Sequence, residues 1–306
     1  MSAAHRPWPP LPAQACLGVI APAGPPKGAS LAQVEPLVTR LGFRAKLFPG
    51  CAGPAHLGHL AASDAQRLAD LHAAFADPQV DAVLALRGGY GCARLLPDID
   101  TALLQRHPKP LIGFSDLTAL HALRLGLDLP GWHAPMPASN WGDGPSAWAD
   151  ALALAVQLRA GLPAGEVLAP ALGASSVHRP GRARGRLAGG NLAVLASLLG
   201  TPFMPDLRGC LLFIEDVAED AYKVDRLLGQ LRLAGVLSQV SGVLVGSFTE
   251  ADDPAEVLRD YLAPLAVPVL SGWPSGHCSP HVALPLGADM VLEVDPASRG
   301  GRLRHP

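Results

Sequence analysis

Three side chains with catalytic potential follow apolar runs or a sharp turn. Ser115 follows residues 110–114, Glu215 follows residues 210–214, and His277 follows a Pro-Ser-Gly turn. A serine hydroxyl becomes a good nucleophile when a nearby base takes its proton, and that base works best when a third group fixes its tautomer. The order serine, acid, histidine also occurs in the α/β-hydrolases. The three residues are therefore candidates for a catalytic triad, although each type taken singly is more often structural.

Ser115 lies where a short buried strand gives way to a helix. Residues 110–114 are almost entirely apolar, while Leu117, Leu120 and Leu123 recur at helical spacing. At such a junction the hydroxyl and the first free N–H groups of the helix point into one cleft. We therefore predict a nucleophile turn, with a simple helix cap as the alternative. The turn differs from the G-x-S-x-G elbow, since Leu117 stands where that motif has glycine.

A glycine-rich segment, Arg-Gly-Gly-Tyr-Gly at residues 87–91, ends the neighbouring apolar run. Glycine permits close backbone approach, so the N–H groups of this segment could bind an anion or an oxyanion. A plain tight turn is the alternative. Arg94 stands where a dinucleotide fingerprint needs its third glycine, and the chain has no phosphate-binding G-K-[ST] loop. We expect no nucleotide cofactor.

The segment from His277 to His281 is also a candidate metal site, because Cys278 lies between the two histidines and both residue types bind zinc. Pro280 argues against a helix that presents both rings on one face, and no further ligands stand at a fitting spacing. We therefore expect no metal and no other cofactor. His281 is the competing candidate for the catalytic base.

Composition excludes several classes of protein. Hydrophobic residues make up 49% and charged residues 16% of the 306 positions, which is typical of folded globular chains and allows two domains. The net charge of −2 predicts no nucleic-acid or membrane partner. Five scattered cysteines without a C-x-x-C pair suit a reducing compartment, and we find neither a signal peptide nor a membrane span. We expect a cytoplasmic protein that acts on a small molecule or a peptide.

Strands and helices alternate along the first half of the chain, which predicts a parallel sheet with its ligands at the carboxyl ends of the strands. We expect an α/β protein with a flavodoxin-like N-terminal domain over residues 1–136. An interdomain linker over residues 137–183 and a smaller C-terminal α/β or β-rich domain over residues 184–306 complete the chain. A helix is predicted over residues 221–233 from its apolar spacing.

Five segments together resemble the LD-carboxypeptidases, the serine peptidase family that includes muramoyltetrapeptide carboxypeptidase and the microcin C self-immunity proteins. They are AVLALRGGYGCARLLPDID, LIGFSDLTALH, GRLAGGNLAVLASLLGTP, LLFIEDVAEDAYKVDRLLGQL and GHCSPHVALPLG. The resemblance implies a homodimer and an active site in the cleft between the domains. It also implies a triad in which Ser115 is the nucleophile, Glu215 the acid and His277 the base.

The resemblance further implies an oxyanion hole made by backbone N–H groups. Asp116, directly after the nucleophile, and Gly88 or Gly89 of the glycine-rich segment match the family's donors. Further candidates for binding the substrate are Arg87, Tyr90 and Arg186.

One motif departs from the family. Relatives often have His-Gly-Pro-Met where this chain has His133, Ala134, Pro135 and Met136. The added methyl group of Ala134 either narrows the cleft or is accommodated elsewhere.

The activity implied by the resemblance is hydrolysis of the bond between an L-centre, meso-diaminopimelate or L-Lys, and the terminal D-alanine of murein tetrapeptides, in peptidoglycan recycling. A microcin-immunity-like hydrolase of aminoacyl-nucleotide conjugates is one alternative. It would need aromatic surface for the base, for which Trp132, Trp141 and Tyr90 are the candidates. A catalytically silent peptide-binding module is the alternative from another class.

Overall fold

The computed structural model describes residues 8, 10–27, 30–139, 141–142, 144–170, 177–295 and 300–306. Its α-helices are α1 (Ser30–Arg40), α2 (Asp64–Ala76), α3 (Thr101–Arg106), α4 (Thr118–Gly126), α5 (Pro145–Ala160), α6 (Leu192–Ser197), α7 (Ala221–Leu233) and α8 (Ala255–Leu262). Its strands are β1 (Cys16–Ile20), β2 (Arg44–Leu47), β3 (Ala82–Ala85), β4 (Leu111–Ile112), β5 (Gly131–His133), β6 (Val167–Leu168), β7 (Val177–Arg179), β8 (Gly181–Asn191), β9 (Leu211–Val217), β10 (Gly242–Thr249), β11 (Val269–Ser271), β12 (Leu284–Leu286), β13 (Asp289–Asp295) and β14 (Gly300–Arg304). Short 3₁₀ turns include Cys92–Asp98 and Ser115–Leu117.

The first sheet has the strand order β2, β1, β3, β4, β5, β12. The pairs from β2 to β5 are parallel, and this order is that of the flavodoxin-like folds, as predicted. Strands β1 and β3 are buried along their whole length, as expected for parallel strands covered by helices on both faces. Helix α2 begins at a serine cap, where the Ser63 hydroxyl accepts the N–H of Gln66 at 3.2 Å.

Strand β12 is the exception to this parallel arrangement. It comes from the far end of the chain and pairs antiparallel with β5, so that Leu284 lies opposite His133 and Leu286 opposite Gly131. The C-terminal half therefore supplies the edge strand of the N-terminal sheet.

The segment expected as a linker is largely regular structure. Helix α5 buries Ala151, Leu154 and Leu158 in the apolar core on one face of the first sheet. Strands β6 and β7 form the two edges of the second sheet. Residues 140, 143 and 171–176 of the expected linker lie outside the described part of the chain. The domain boundaries at 136 and 184 stay a prediction.

The second sheet has the order β6, β14, β13, β8, β9, β10, β11, β7. Its central strands β8 to β11 are parallel, whereas β13, β14, β6 and β7 join antiparallel. On one face, Leu212 and Val243 pack with Val224 and Leu228 of α7, the helix predicted over residues 221–233. The fold is thus mixed α/β in both halves, in agreement with the predicted class.

Polar contacts fix the second sheet against helix α4. The N–H of Asn191 donates to the Thr118 hydroxyl at 2.9 Å, and the Asn191 side-chain amide donates to Asp216 at 2.7 Å. Arg186 binds Asp128 at 2.8 Å and the Leu125 carbonyl oxygen at 2.9 Å. Because α4 begins three residues after Ser115, these contacts set the position of the nucleophile turn relative to the second sheet. Within the described ranges, no helix is long and apolar enough to cross a membrane.

Candidate active site

Ser115 lies on a strained turn between β4 and α4. Its φ angle is 64°, in the left-handed region that residues other than glycine seldom adopt. Nε2 of His121 lies 2.9 Å from the carbonyl oxygen of Gly113, and burial lowers the pKa of His121 to about 3, so the neutral ring donates this bond. Strain of this kind persists only where the surroundings over-determine it. The turn holds the hydroxyl exposed to the cleft, as the sequence predicted.

His277 links the serine to Glu215. Nε2 of His277 lies 3.2 Å from Oγ of Ser115, and Nδ1 lies 2.7 Å from Oε2 of Glu215. The backbone N–H of His277 donates to the same carboxylate oxygen at 3.3 Å. Thr249 donates its hydroxyl proton to the carbonyl oxygen of His277 at 2.9 Å. The structure therefore brings the three predicted triad residues together, although they come from β9 and two loops.

The Glu215 carboxylate is inside a strand, although the apolar run that predicts this strand ends at residue 214. Strand β9 continues to Val217, because Asp216 and Val217 pair with Phe248 and Thr249 of β10. Both acids are buried, and Asp216 accepts the backbone N–H of Ala193 at 2.9 Å. Only Glu215 bonds to His277. Asp216 instead joins the contacts that dock the second sheet on α4.

Burial and charge set the protonation states of this pair. Burial alone would raise the pKa of Glu215, but the adjacent rings of His133 and His277 hold it below its ordinary value. Burial alone would lower the pKa of His277, but the hydrogen bond and the charge of Glu215 outweigh it and raise the pKa. A charged carboxylate therefore faces the imidazole and stabilises its protonated form.

The glycine-rich loop lies against the nucleophile. A Cβ atom added to Gly88 would lie 2.8 Å from Cβ and 3.0 Å from Oγ of Ser115, and Gly89 has a φ angle of 119°. The Asp116 carboxylate accepts the N–H of Cys92 at 2.8 Å, which ties the loop to the nucleophile turn. Gly88 is thus in close contact with Ser115, and Gly89 lines the same cleft, which keeps the backbone of this loop and of Asp116 as candidates for the oxyanion hole.

Gly88→Ala tests this loop, since backbone donors cannot be deleted by side-chain mutation. The new methyl group would collide with Ser115, so we expect hydrolysis to fall about 100-fold, as for loss of one oxyanion donor, with little change in melting temperature. The readout is kcat/KM together with a thermal melt. Gly53→Ala is the matched control, because its added Cβ would meet nothing closer than 3.6 Å. Full activity in Gly88→Ala would contradict the placement of the loop.

The site opens into a cleft of about 790 Å³ between the two sheets. Residues from both halves and from the α5 region line it, namely Lys27, Arg87, Gly88, Gly89, Phe114, Ser115, Met136, Ala138, Ser139, Ser146, Ala147, Val217, Glu250, His277, Cys278 and Ser279. Ser279 of the histidine loop donates to Asp150 of α5 at 3.1 Å. The expected linker is therefore part of the cleft wall.

The predicted substrate ligands do not all reach this cleft. Arg87 lines it, with Nη1 bonded to the carbonyl oxygen of Pro25 at 2.9 Å. Tyr90 is 54% exposed and packs on the ring of His59, outside the cleft lining. Arg186 is also outside the lining, because its guanidinium docks the second sheet on α4. Of these three residues, Arg87 alone lines the cleft and stays a candidate for binding the substrate.

The departure from the family motif is accommodated in the core. Ala134 is fully buried among apolar side chains on one face of the first sheet, whereas Met136 of the same motif lines the cleft. The extra methyl group is thus not part of the cleft wall.

His281 is buried and does not take the place of His277. Its ring packs edge-on against Phe114 at a centroid distance of 4.8 Å, and burial lowers its pKa well below the ordinary value. The ring bonded to the serine hydroxyl is that of His277. Among the described residues, no group of three or more His, Cys, Asp or Glu side chains is arranged to hold a metal ion.

Sequence reasoning missed Lys27 and Glu250 as cleft residues. Lys27 follows β1 and Glu250 directly follows β10, both at the carboxyl ends of parallel strands, where ligands of α/β sheets gather. That rule could have identified both.

A serine hydroxyl, an imidazole and a buried carboxylate bonded in series, beside backbone donors in a cleft, define the class of serine hydrolases.

The chain belongs to the LD-carboxypeptidase family and is a serine-type carboxypeptidase. The LD-carboxypeptidase N-terminal domain matches residues 17–134, and the LD-carboxypeptidase C-terminal domain matches residues 184–292. A probable murein peptide carboxypeptidase from Bacillus subtilis is 40% identical over 288 residues, which cover 91% of this chain and 88% of the relative.

Solved structures share the fold. The muramoyltetrapeptide carboxypeptidase from Oxalobacter formigenes superposes with a TM-score of 0.83 at 28% identity, covering 94% of this chain and 97% of that one. MccF in complex with glutamyl sulfamoyl guanosine superposes with a TM-score of 0.87, covering 98% of each chain. Its identity of 22% supports likeness of fold alone.

Proposed function

We propose that this enzyme removes the terminal D-alanine from murein tetrapeptides, by hydrolysing the bond that joins it to the L-centre of meso-diaminopimelate or L-Lys. The observation that carries the proposal is the hydrogen-bonded series Ser115, His277, Glu215, open to the cleft and beside the glycine-rich loop. The similar muramoyltetrapeptide carboxypeptidase from Oxalobacter formigenes supports murein peptides as the substrate class. We assign the reaction to peptidoglycan recycling.

In the first half of the reaction, Oγ of Ser115 attacks the carbonyl carbon of the scissile bond. His277 takes the hydroxyl proton on Nε2, while its Nδ1–H donates to Glu215. The charged carboxylate stabilises the imidazolium that forms. The developing oxyanion lies against the N–H groups of Asp116 and of Gly88 or Gly89, where fixed donors stabilise it without reorganisation.

In the second half, His277 gives its proton to the nitrogen of the leaving D-alanine, and the C–N bond breaks. An acyl-enzyme ester on Ser115 remains. A water molecule gives a proton to the same imidazole and attacks the ester, the bond between the acyl carbon and Oγ breaks, and the imidazolium returns the proton to Oγ as the tripeptide leaves. Every proton transfer thus passes through one ring held by Glu215.

The test is direct measurement of free D-alanine from purified enzyme and murein tetrapeptide, with and without a chelator. We expect release in both, with one D-alanine per tripeptide. Loss of activity on chelation would contradict a metal-independent mechanism. Hydrolysis of an aminoacyl-nucleotide conjugate, with no D-alanine from the tetrapeptide, would favour the microcin-immunity alternative. Tetrapeptide binding without turnover would instead indicate a silent binding module.

The aromatic side chains that line the cleft favour a peptide substrate over an aminoacyl-nucleotide conjugate. Trp132 and Trp141 are buried in the core, and Tyr90 packs on His59 outside the cleft. Among the described cleft-lining residues the rings are those of Phe114 and His277, which pack on each other at a centroid distance of 4.9 Å. Neither leaves a free aromatic face of the kind that stacks a base.

A cytoplasmic location and a homodimer complete the proposal, and both rest on sequence reasoning. Light scattering of the purified protein tests the dimer, and fractionation of cells that express it tests the location.

The pH dependence of hydrolysis should report His277. Only the neutral imidazole can accept the serine proton, and its pKa is raised, so kcat/KM should fall as the pH drops through a value above the ordinary imidazole pKa of 6.5. The measurement is a pH profile of kcat/KM for D-alanine release. Buried His281 has a lowered pKa, so an acidic limb below the ordinary value would point to His281 as the base.

A further inference from the structure

The two sides of the cleft carry opposite charges. Lys27 and Arg87 are on the side of the first sheet, next to Gly88 and Gly89. Glu250 is on the side of the second sheet, directly after β10. No other Lys, Arg, Asp or Glu is among the described residues that line the cleft. A substrate that carries both an anionic and a cationic group would therefore have a preferred orientation in the cleft.

Glu250 is held at the site and is not neutralised there. Its φ angle is 62°, in the left-handed region, and the residue before it, Thr249, donates its hydroxyl proton to the carbonyl oxygen of His277 at 2.9 Å. The side chain is exposed, and it forms no ion pair with any residue in the described part of the chain. Its charge is one of those that raise the pKa of His277. The carboxylate is therefore free to bind a cation close to the reacting atoms.

We propose that Glu250 is a specificity residue, which binds the ammonium group on the side chain of the substrate's L-centre, while Arg87 and Lys27 face the carboxylate of the leaving D-amino acid. The inference rests on the proposed carboxypeptidase function. Both expected L-centres, meso-diaminopimelate and L-Lys, carry an ammonium group at the end of the side chain, and meso-diaminopimelate also carries a carboxylate on the same carbon. A charge-assisted hydrogen bond to that group would favour such residues over neutral ones of equal length.

The test compares two tetrapeptides that differ at the third residue alone, one with L-Lys and one with L-norleucine. Norleucine keeps the four side-chain carbons of lysine but lacks the terminal ammonium group. For wild type, we expect kcat/KM for D-alanine release to be about tenfold higher with lysine. In Glu250→Gln this preference should vanish, and in Glu250→Lys it should invert. The ratio of the two substrates cancels any effect that the lost charge has on His277, since that effect is common to both.

Asp252→Asn is the matched control. It removes the same charge two residues along the chain from Glu250, and the Asp252 side chain is outside the cleft lining. It should keep the lysine preference of wild type. Equal rates on both peptides in wild type, or an unchanged preference in Glu250→Gln, would overturn the role of Glu250 and leave the carboxypeptidase proposal standing. No D-alanine from either peptide in wild type would instead overturn the proposed function, and the inference with it.

Discussion

Ser115→Ala should lower D-alanine release by on the order of 10⁶-fold and leave tetrapeptide binding largely intact. The hydroxyl lies 3.2 Å from the base that would activate it, and no acyl-enzyme can form without it. Alanine fits the space of serine, and both residues meet the same strain at this left-handed position. The folded structure should therefore persist while the chemistry stops.

Three measurements separate chemistry from folding in this variant, namely kcat for D-alanine release, the affinity for tetrapeptide and the melting temperature. Ser139→Ala is the matched control, since Ser139 also lines the cleft but does not bond to His277. Its rate should stay within about threefold of wild type, as for ordinary surface substitutions. Residual activity of Ser115→Ala above about one per cent would rule out Ser115 as the nucleophile, because removal of a nucleophile costs far more than 100-fold.

Glu215→Gln should lower kcat by on the order of 10⁴-fold with little change in KM. The carboxylate is completely buried and accepts from Nδ1 of His277 at 2.7 Å, so it fixes the tautomer in which Nε2 can accept a proton. A glutamine side chain has the same shape but no charge. It can present its NH₂ group to the ring, favour the wrong tautomer and leave the imidazolium without a counter-charge.

The matched control for this charge is Glu219→Gln, four residues further along the chain. Glu219 is outside the cleft lining, and its Oε2 lies 4.0 Å from Nζ of Lys223. Neutralising it should leave kcat within about twofold, because exposed ion pairs contribute little. Single-turnover kinetics would show whether the loss in Glu215→Gln is in acylation. A kcat above about a tenth of wild type would exclude Glu215 as the residue that orients the base.

Local patterns in the sequence predicted the elements that are specified locally. The apolar spacing of α7 and the break between β4 and α4 each depend on a few neighbouring residues. The strained turn at Ser115 could be anticipated for the same reason. The parallel arrangement of the first sheet followed from the alternation of its strands with helices.

Elements that depend on distant partners could not be predicted in this way. Strand β8 contains the sequence GRARGRLAGGN, which is rich in glycine and arginine, and it is a strand because β9 and β13 pair with it on both sides. Likewise β9 extends over Glu215 because β10 continues beside it. The types of the three triad residues were evident, but their contact depends on docking through Asn191 and Thr118, which have no local signature.

The candidate substrate ligands show the same limit. An arginine side chain can bind a carboxylate, and from the sequence alone Arg87 and Arg186 are equally good candidates for that role. In the fold, Arg87 faces the cleft, whereas Arg186 is bound to Asp128. Only the relative position of the two sheets separates these roles.

The antiparallel pairing of β12 with β5 has a consequence for the position of the base. The loop that carries His277 starts after β11 in one sheet and ends at β12 in the other, so the chain is attached to both sides of the cleft within a few residues of the base. A hinge that swung the sheets apart would have to break the pairing of Leu284 with His133 or stretch this loop. We therefore infer that the position of His277 depends on both sheets, so that any movement of one sheet relative to the other would displace the base from Ser115.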